Sequence, residues 1–296
     1  MPIAHEFDYV KPGTIEEAVG ILAERGDGAQ ILAGGTDVVP QLRDEAIAPE
    51  VLVDIKGIDG LADIRLAGDR LFIGPLVTFT DLIESELIRE NFPLFYEMAV
   101  QVASKGIRNR ATVVGNICSA VPSCDAGPVL LVYDAQVLVL GPGGERAVHI
   151  DEWFTGPKKT DLQSGELVVG LEMSSSAQPC GGSYVKLGRY RGEDLAQASV
   201  AVLVSHDYEY RVAFGAVGPT PVRARKLEAA IKGDEPTDEM LEVARKFIAC
   251  ETSPITDIRA TAEYRTHMLE VMLERGIRAA VARLNGGGPE YGTRHI

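Results

Sequence analysis

Two short glycine-containing segments carry the residue types best suited to binding a phosphate group. The first, residues 33–37 (Ala-Gly-Gly-Thr-Asp), follows the apolar run 30–32, which predicts a buried strand that ends at a turn. Glycines let backbone N–H groups approach an anion, and successive N–H groups in such a turn form a concave site that suits a diphosphate. The second segment, residues 111–116, repeats this chemistry and continues into a polar, turn-rich stretch over 117–125. We expect both segments to hold one dinucleotide.

The composition of the chain excludes several classes of protein. A length of 296 residues with 46% hydrophobic residues predicts two domains, or three small ones, with a substantial core. The net charge of −14 argues against a nucleic acid or an anionic membrane as a partner. The four cysteines form no CxxC pair and the five histidines are widely separated, so we predict no metal site. There is no signal-peptide pattern and no apolar run long enough to span a bilayer, and scattered cysteines suit a reducing compartment, so we expect a cytoplasmic protein.

The N-terminal part of the chain predicts a small parallel sheet. A strand over 7–11 is followed by a helix that starts with a capping-box pattern at Thr14 and ends at Gly26. After the strand that leads into the first glycine segment, a short helix over 38–43 precedes another apolar strand over 51–55. This βαβαβ alternation is typical of a parallel sheet.

The next part of the chain predicts an antiparallel sheet with helices packed on one side. Hairpins are expected around the turns at 67–70 and 141–144, and a further strand over 167–173. Between the hairpins, Thr80 caps one predicted helix and Pro93 opens another.

The C-terminal part predicts an α+β domain. Its three antiparallel strands are expected over 183–187, 198–205 and 211–215. Its helices are expected over 222–231, 237–249 and 261–284. We place a domain boundary in the polar stretch 174–179. The resulting organisation is a first domain over 1–176 with subdomains 1–57 and 58–176, a second domain over 177–286 and a mobile tail over 287–296.

The usual nucleotide-binding signatures are absent from the sequence. No GxGxxG follows the first strand and no GxxxxGK[ST] occurs, so a Rossmann or P-loop site lacks its key residues. Two glycines after a strand often form only a structural turn. In the second segment, four polar residues lie among apolar ones and need hydrogen-bond partners if buried: Asn116, Ser119, Ser123 and Asp125. They could bind a ligand, satisfy one another, or cap the helix that begins near Pro128.

Four motifs, spread in order along nearly the whole chain, indicate a known family. They are residues 33–37, residues 107–116 together with Asp125, residues 218–224 and residues 256–265. Together they resemble the FAD-binding subunit of the molybdenum hydroxylases, a family that includes bacterial carbon monoxide dehydrogenase medium subunits and xanthine dehydrogenase FAD subunits. The resemblance implies an α+β fold. An FAD-binding domain of two α/β subdomains, one with a small parallel sheet and one with an antiparallel sheet and helices, would precede a C-terminal domain with a three-stranded antiparallel sheet and helices.

The resemblance implies a role in FAD binding for several positions. Residues 32–37 and the second glycine segment would wrap the diphosphate, while Asp125 would accept hydrogen bonds from the adenosine ribose and Lys186 would place a positive charge near the flavin ring. Val168 or Val169 would pack beside the adenine. No side chain would act as acid or base, because the flavin carries out the chemistry. The implied cofactor-binding residues are Leu32, Ala33, Gly34, Gly35, Thr36, Asp37, Val102, Ala103, Ile107, Ala111, Thr112, Gly115, Asn116, Ser119, Asp125, Val168, Val169 and Lys186.

The sequence departs from the family at one position near the flavin ring. Relatives often place an aromatic residue against the ring from the loop after the lysine strand, whereas residues 193–196 here offer only Leu195. Tyr190 could take this place or be a solvent-exposed side chain. Cys118 and Cys124 would lie near the flavin, and we expect them to be packing residues rather than redox partners.

The resemblance implies a flavin subunit of a heteromeric oxidoreductase. A large partner subunit would carry molybdopterin and a small one two [2Fe–2S] clusters, and electrons would pass through FAD to NAD⁺, a quinone or another small-molecule acceptor. One alternative is the flavin subunit of a 4-hydroxybenzoyl-CoA reductase type complex, but the cysteine group of its additional cluster is missing from this sequence. Another is a flavin-free structural or assembly subunit, against which the intact glycine segments argue.

Overall fold

A three-stranded parallel sheet forms the N-terminal part of the computed structural model, which describes residues 3–174, 180–190 and 194–296. Its strands and connecting helices are β1 (Asp8–Val10), α1 (Ile15–Arg25), β2 (Ala29–Leu32), α2 (Val38–Arg43) and β3 (Val51–Asp54). The strands lie in the order β1-β3-β2, and both pairs are parallel. The predicted parallel sheet is confirmed.

Helix α1 begins where its side-chain cap predicts. The Thr14 hydroxyl accepts a hydrogen bond from the Glu17 N–H at 3.2 Å, and the Glu17 carboxylate accepts one from the Gly13 N–H at 2.7 Å. Ala18 and Leu22 on the apolar face of α1 are buried in a cluster with the sheet. The helix therefore covers the sheet and fixes the strand that leads into the first glycine segment.

A five-stranded antiparallel sheet follows in the described part of the chain. Its strands are β4 (Ile64–Ala67), β5 (Arg70–Ile73), β6 (Gln136–Gly141), β7 (Gly144–His149) and β10 (Leu167–Ser174), in the order β4-β5-β10-β6-β7, and β8 (Phe154–Gly156) pairs separately with β9 (Lys159–Thr160). The helices are α3 (Phe79–Glu84), α4 (Glu86–Asn91), α5 (Pro93–Ala99), α6 (Lys105–Arg108), α7 (Val113–Ser119), α8 (Ala126–Val132) and α9 (Ile150–Trp153). Both predicted hairpins, β4–β5 and β6–β7, are confirmed.

The start of α3 differs from the prediction. Thr78 caps this helix, because its hydroxyl accepts from the Asp81 N–H at 3.1 Å and the Asp81 carboxylate accepts from the Thr78 N–H at 2.8 Å. Thr80, the predicted cap, instead donates from its hydroxyl to Asn109 at 2.7 Å. The single helix predicted after this cap is divided at Ser85, which caps α4.

The largest hydrophobic core involves this sheet and its helices. Phe92 and Phe95 each pack against Tyr133 with ring centroids 5.4 Å apart. Trp153 is fully buried, and its indole N–H donates to the Ile117 carbonyl at 3.1 Å. Trp153 is therefore a core residue, and its hydrogen bond attaches α7 to this core.

A four-stranded antiparallel sheet with helices forms the C-terminal part of the described chain. Its elements are β11 (Cys180–Leu187), β12 (Ala198–Ser205), β13 (Tyr210–Gly215), β14 (Val222–Arg223), α10 (Arg225–Ala230), α11 (Asp238–Glu251) and α12 (Ala262–Leu284). The predicted three strands are present, and Val222, predicted to begin a helix, instead pairs with Phe214 as a fourth. Helix α12 lies directly on β11, since a Cβ atom at Gly181 would lie 1.9 Å from the Ala280 carbonyl oxygen. Among the described residues, every helix is too short or too polar to cross a membrane.

A buried carboxylate on α5 joins the middle part of the chain to the C-terminal part. Glu97 on α5 is fully buried and pairs with Arg283 of α12 at 2.6 Å. It also accepts hydrogen bonds from the N–H groups of Tyr184 at 2.7 Å and Gly292 at 2.9 Å. Residues 287–296, predicted to be a mobile tail, therefore make specific contacts, because a buried charge requires close partners.

A second set of ion pairs joins the same parts of the chain. Asp134, which follows α8, pairs with Arg223 at 2.7 Å and with Arg211 at 2.9 Å, both from the C-terminal sheet. Of the predicted domain boundary, residues 175–179 lie outside the described residues.

Candidate functional site

The two glycine segments are in direct contact. A Cβ atom at Gly34 would lie 2.0 Å from the carbonyl oxygen of Arg110 and 3.2 Å from the Cα atom of Ala111. The hydroxyl of Ser119 donates a hydrogen bond to the Asp37 carboxylate. Only glycine at position 34 permits this approach, so the sequence places the two segments side by side as expected.

The first segment presents backbone donors without protein partners. Gly35 has a φ of +78°, a left-handed conformation that favours glycine. In the part of the chain that the structure describes, no acceptor lies within hydrogen-bonding geometry of the N–H groups of residues 34–38. These residues follow the carboxyl end of β2, the edge at which parallel sheets bind ligands. A row of free donors in such a turn fits the diphosphate of FAD.

In the second segment, several groups implied to bind FAD have internal partners. The Thr112 hydroxyl caps α7 by accepting from the Gly115 N–H at 2.9 Å, and a Cβ at position 115 would lie 2.7 Å from that hydroxyl. The side-chain carbonyl of Asn116 accepts from the Ala126 N–H at 3.2 Å, at the start of α8. The prediction of a turn-rich stretch over 117–125 was wrong for residues 117–119, which belong to α7, and residues 113–116, predicted as part of a loop, are also helical. For Asn116, the structure supports the alternative in which it caps the next helix.

A buried ion pair lies across the two domains. Asp125 is 7% exposed; one of its oxygens accepts from Lys186 Nζ at 2.8 Å and the other from the Tyr184 hydroxyl at 2.7 Å. Lys186 Nζ also donates to the Gln101 carbonyl at 3.1 Å. Tyr184 and Lys186 are two residues apart on β11, so their side chains leave the same face of the strand. Burial, together with the charge and hydrogen bond of Asp125, raises the pKa of Tyr184 well above its usual value, so the phenol remains a donor.

This ion pair joins two residues to which the resemblance gives separate roles. The resemblance assigns Asp125 to the adenosine ribose and Lys186 to the flavin ring, which are separated by the diphosphate in an extended FAD. The two side chains are 2.8 Å apart, so they must act at the same end of the cofactor. Lys186 also borders a pocket.

The pocket beside Lys186 is small and open. Its lining residues come from segments far apart in the sequence: Gln101, Lys186, Gly188, Tyr190, Asp194 and Arg294. Tyr190 is 68% exposed, so its ring is accessible for stacking, whereas Leu195 is 48% exposed and does not line the pocket. Arg294 belongs to the segment predicted to be a mobile tail.

Three of the implied cofactor-binding residues, Val102, Ala103 and Ile107, lie between Gln101 and the second glycine segment. Val102 is buried, and Ala103 has a left-handed φ of +37°. The Arg108 guanidinium donates to both of their carbonyls, at 2.7 and 2.8 Å, and fixes this bend. Ile107 is 39% exposed, and its carbonyl accepts from the Ala111 N–H at 2.7 Å. These residues connect the pocket beside Lys186 to the second glycine segment.

The remaining apolar candidates occupy different environments. Val168 is buried in the largest core, whereas Val169 packs with the cluster beneath α1. Successive residues of a strand point to opposite faces, so only one of these two can contact the adenine. Leu32 is buried at the end of β2, and Ala33 packs with the cluster beneath α1.

The two cysteines near the site are unsuited to redox chemistry. Burial raises the pKa of the Cys118 and Cys124 thiols to about 12. Thiols with such pKa values carry very little thiolate at neutral pH and react slowly. This supports their interpretation as packing residues.

Tyr184, Gln101 and Arg108 are site residues that sequence reasoning missed. Tyr184 had a usable signal, since it lies two positions before Lys186 in a predicted strand and must share its face. Gln101 is 6% exposed, and its amide donates to the Tyr184 carbonyl at 3.2 Å. Nothing in the local sequence indicates this contact, because it joins segments brought together only by folding.

Comparison with known families identifies the class of protein. The model of the FAD binding domain in molybdopterin dehydrogenase matches residues 5–173, and that of the CO dehydrogenase flavoprotein C-terminal domain matches residues 183–280. The chain therefore belongs to the family of FAD-binding subunits of the molybdenum hydroxylases, as its motifs predicted. Asp125 lies in the first matched domain and Lys186 in the second, so both domains contribute to the site.

Individual relatives resemble the chain over almost its full length. The carbon monoxide dehydrogenase medium chain of Hydrogenophaga pseudoflava is 33% identical, with 95% of this chain and 99% of the relative aligned. A solved structure of carbon monoxide dehydrogenase from that organism matches with a TM-score of 0.92 over 96% of this chain and 99% of the matched chain. A putative xanthine dehydrogenase FAD-binding subunit of Escherichia coli is 32% identical, over 94% of this chain and 97% of the relative. These relatives are subunits of oxidoreductases, and the predicted fold class is confirmed.

Proposed function

We propose that this chain is the FAD-binding electron-transfer subunit of a heteromeric molybdenum hydroxylase. The observation that carries the proposal is the contact of two glycine segments beside the N–H groups of residues 34–38, which have no acceptor among the described residues. Bound FAD can exchange electrons singly with clusters and in pairs with an organic acceptor. Membership of the FAD-binding family supports the same conclusion.

The residues of this chain bind and orient the cofactor in this proposal. The N–H groups of residues 34–38 hold the diphosphate, and the Ser119–Asp37 hydrogen bond keeps the two loops together. At the ring end, Lys186 supplies a positive charge that Asp125 partly compensates. Because both side chains are nearly buried, this charge pair acts in a medium of lower dielectric than water and is correspondingly effective.

The proposed partners carry the other redox groups. A large subunit would bind molybdopterin and a small subunit two [2Fe–2S] clusters, and the complex would transfer electrons to NAD⁺ or another small-molecule acceptor. The names of the relatives, a medium chain and an FAD-binding subunit, support a multi-subunit assembly. The cysteines of the chain are free thiols, which supports a reducing, cytoplasmic compartment. We further propose domains over 1–176, with subdomains 1–57 and 58–176, and over 177–286.

Purification of the full chain tests the cofactor assignment. We expect a flavin absorption spectrum, and release of FAD on denaturation, identified by chromatography against FAD and FMN standards. Release of FMN, or no flavin even after FAD is supplied to the purified chain, would contradict the proposal.

Affinity purification from the native host tests the assembly. We expect a large molybdopterin-containing protein and a small [2Fe–2S] protein to co-purify, with metal analysis showing molybdenum and iron. A chain that binds FAD but purifies alone would refute the proposed complex while leaving FAD binding intact.

A further inference from the structure

The Tyr184 side chain is hydrogen-bonded to the Asp125–Lys186 ion pair, which we place at the ring end of the proposed FAD site. It is fully buried, and its hydroxyl donates to Asp125 at 2.7 Å, on the oxygen that Lys186 does not use. Lys186 and Asp125 have side chains only 7% and 10% exposed. The three side chains therefore form a small, nearly buried polar unit, in which each hydrogen bond has a stronger effect than in water.

The backbone of Tyr184 is fixed independently of its hydroxyl. Its N–H donates to the buried carboxylate of Glu97 at 2.7 Å, and its carbonyl accepts from the side-chain amide of Gln101 at 3.2 Å. The main-chain carbonyl of Gln101 is the second acceptor of Lys186 Nζ, at 3.1 Å. Residues 97–101 thus hold the backbone of Tyr184 in position and also limit where the Lys186 side chain can move.

The phenol and the lysine share the charge of one carboxylate. A carboxylate that accepts two donors distributes its negative charge over both, so each donor interacts with less of it than a single donor would. Without the phenol, one oxygen of Asp125 would be buried without this donor, and the lysine would have to compensate the whole charge. The positive potential that Lys186 projects into the pocket would then be smaller.

We propose that Tyr184 is a positioning residue that sets the positive potential at the ring end of the FAD site by sharing the charge of Asp125 with Lys186. This inference rests on the proposed function, since it requires FAD in the pocket. It predicts that removal of the phenol makes the bound flavin harder to reduce, because the reduced ring is stabilised by positive charge.

The test compares Tyr184→Phe with Tyr210→Phe in the full chain loaded with FAD. Tyr210 is a matched control, because it is 3% exposed in the same sheet and its hydroxyl donates at 2.8 Å to a backbone carbonyl, that of Asp234. The measurements are the flavin midpoint potential, the dissociation constant of FAD, and the unfolding midpoint of each variant without FAD.

For Tyr184→Phe we expect a more negative midpoint potential than in the wild type and a dissociation constant for FAD that is about tenfold higher. Tyr210→Phe should change the unfolding midpoint only. Equal potentials in the two variants would overturn the inference and leave Tyr184 with a purely structural role. A wild-type chain that binds no FAD would instead overturn the proposed function as well.

A second comparison tests whether Tyr184 acts through Asp125. In an Asp125→Asn background, the additional change Tyr184→Phe should produce no further shift of the potential, because the shared charge is already gone. A shift of the same size as in the wild-type background would overturn the inference.

If Tyr184→Phe fails to fold, 3-fluorotyrosine at position 184 preserves the shape of the side chain. Fluorination makes the phenol a stronger donor, so the potential should become more positive. An unchanged or more negative potential would overturn the inference.

Discussion

Gly35→Ala tests whether the first glycine segment holds a diphosphate, and Gly60→Ala is its matched control. Both glycines have a φ of +78°. Alanine in this left-handed conformation costs roughly 1–2 kcal/mol wherever it occurs. Backbone strain is therefore the same in the two variants, and any further loss of unfolding free energy in Gly35→Ala comes from contacts of the added methyl group.

The surroundings of the two glycines differ. A Cβ atom at Gly35 would lie 3.1 Å from Leu32 Cδ1 and 3.5 Å from Val39 Cγ2, whereas at Gly60 the nearest atom is an oxygen of Asp63 at 4.0 Å. Only Gly35 lies among the free N–H groups. A hydrogen bond to a charged group contributes about 1.5–3 kcal/mol, so displacing the diphosphate from one donor should weaken FAD binding about 10- to 100-fold.

The assay is titration of each apo variant with FAD, followed by flavin fluorescence, together with denaturant unfolding of the same samples. Gly35→Ala should bind FAD more weakly than Gly60→Ala by the factor given above, and the unfolding data show whether both variants are folded at the temperature of the titration. Equal FAD affinities in the two variants would refute the reasoning, because the added methyl group would then have no access to the bound diphosphate.

Three further predictions concern stability and reactivity. Arg283→Met should lower the unfolding free energy by about 3–5 kcal/mol in urea titrations, because it leaves Glu97 as an uncompensated buried charge; a loss below 1 kcal/mol would show that the pair is not buried in solution. Burial favours the protonated form of Asp257, but two backbone N–H groups and the Arg265 guanidinium outweigh it and lower the pKa to about 2, against a usual 3.8. Its contribution is therefore present above pH 4 and lost as the pH falls towards 2, so Asp257→Asn should cost about 2 kcal/mol at pH 7 and almost nothing at pH 2; a cost independent of pH would contradict this. At pH 8, the exposed thiol of Cys250 should react with a thiol reagent before those of Cys118 and Cys124, because a thiol with a pKa of about 12 is only about one part in ten thousand thiolate at this pH. The reaction time course should therefore lose its rapid phase in Cys250→Ser, and a rapid phase that stays unchanged would refute this prediction.

Most of the fold was predictable because its signals are local. The Thr14 cap, the apolar strand of residues 51–55 and Pro93 each determine an element start within a few residues. The α3 cap shows the limit of such signals. Both Thr78 and Thr80 can cap a helix, and the carboxylate of Asp81, three residues after Thr78, makes the difference.

The site was less predictable because its contacts join distant parts of the chain. Asp125 and Lys186 are 61 residues apart, and no sequence pattern records that they meet. The resemblance identified both residues but did not indicate that their side chains form an ion pair. Similarly, Gly292 is 195 residues from Glu97, and the run of glycines at 286–288 favoured a mobile tail over a segment with buried contacts.

The hydrogen-bonded group of Asp125, Tyr184 and Lys186 is built from both matched domains, and this constrains how the protein can change over evolution. The matched FAD-binding domain ends at residue 173, yet the lysine and the phenol that bind Asp125 come from β11. A recombination event that exchanged one half between relatives would join a carboxylate to donors selected for a different neighbour. The two halves should therefore be inherited together, and chimeras that cross between residues 173 and 183 should retain their flavin only when the parents agree at positions 125, 184 and 186.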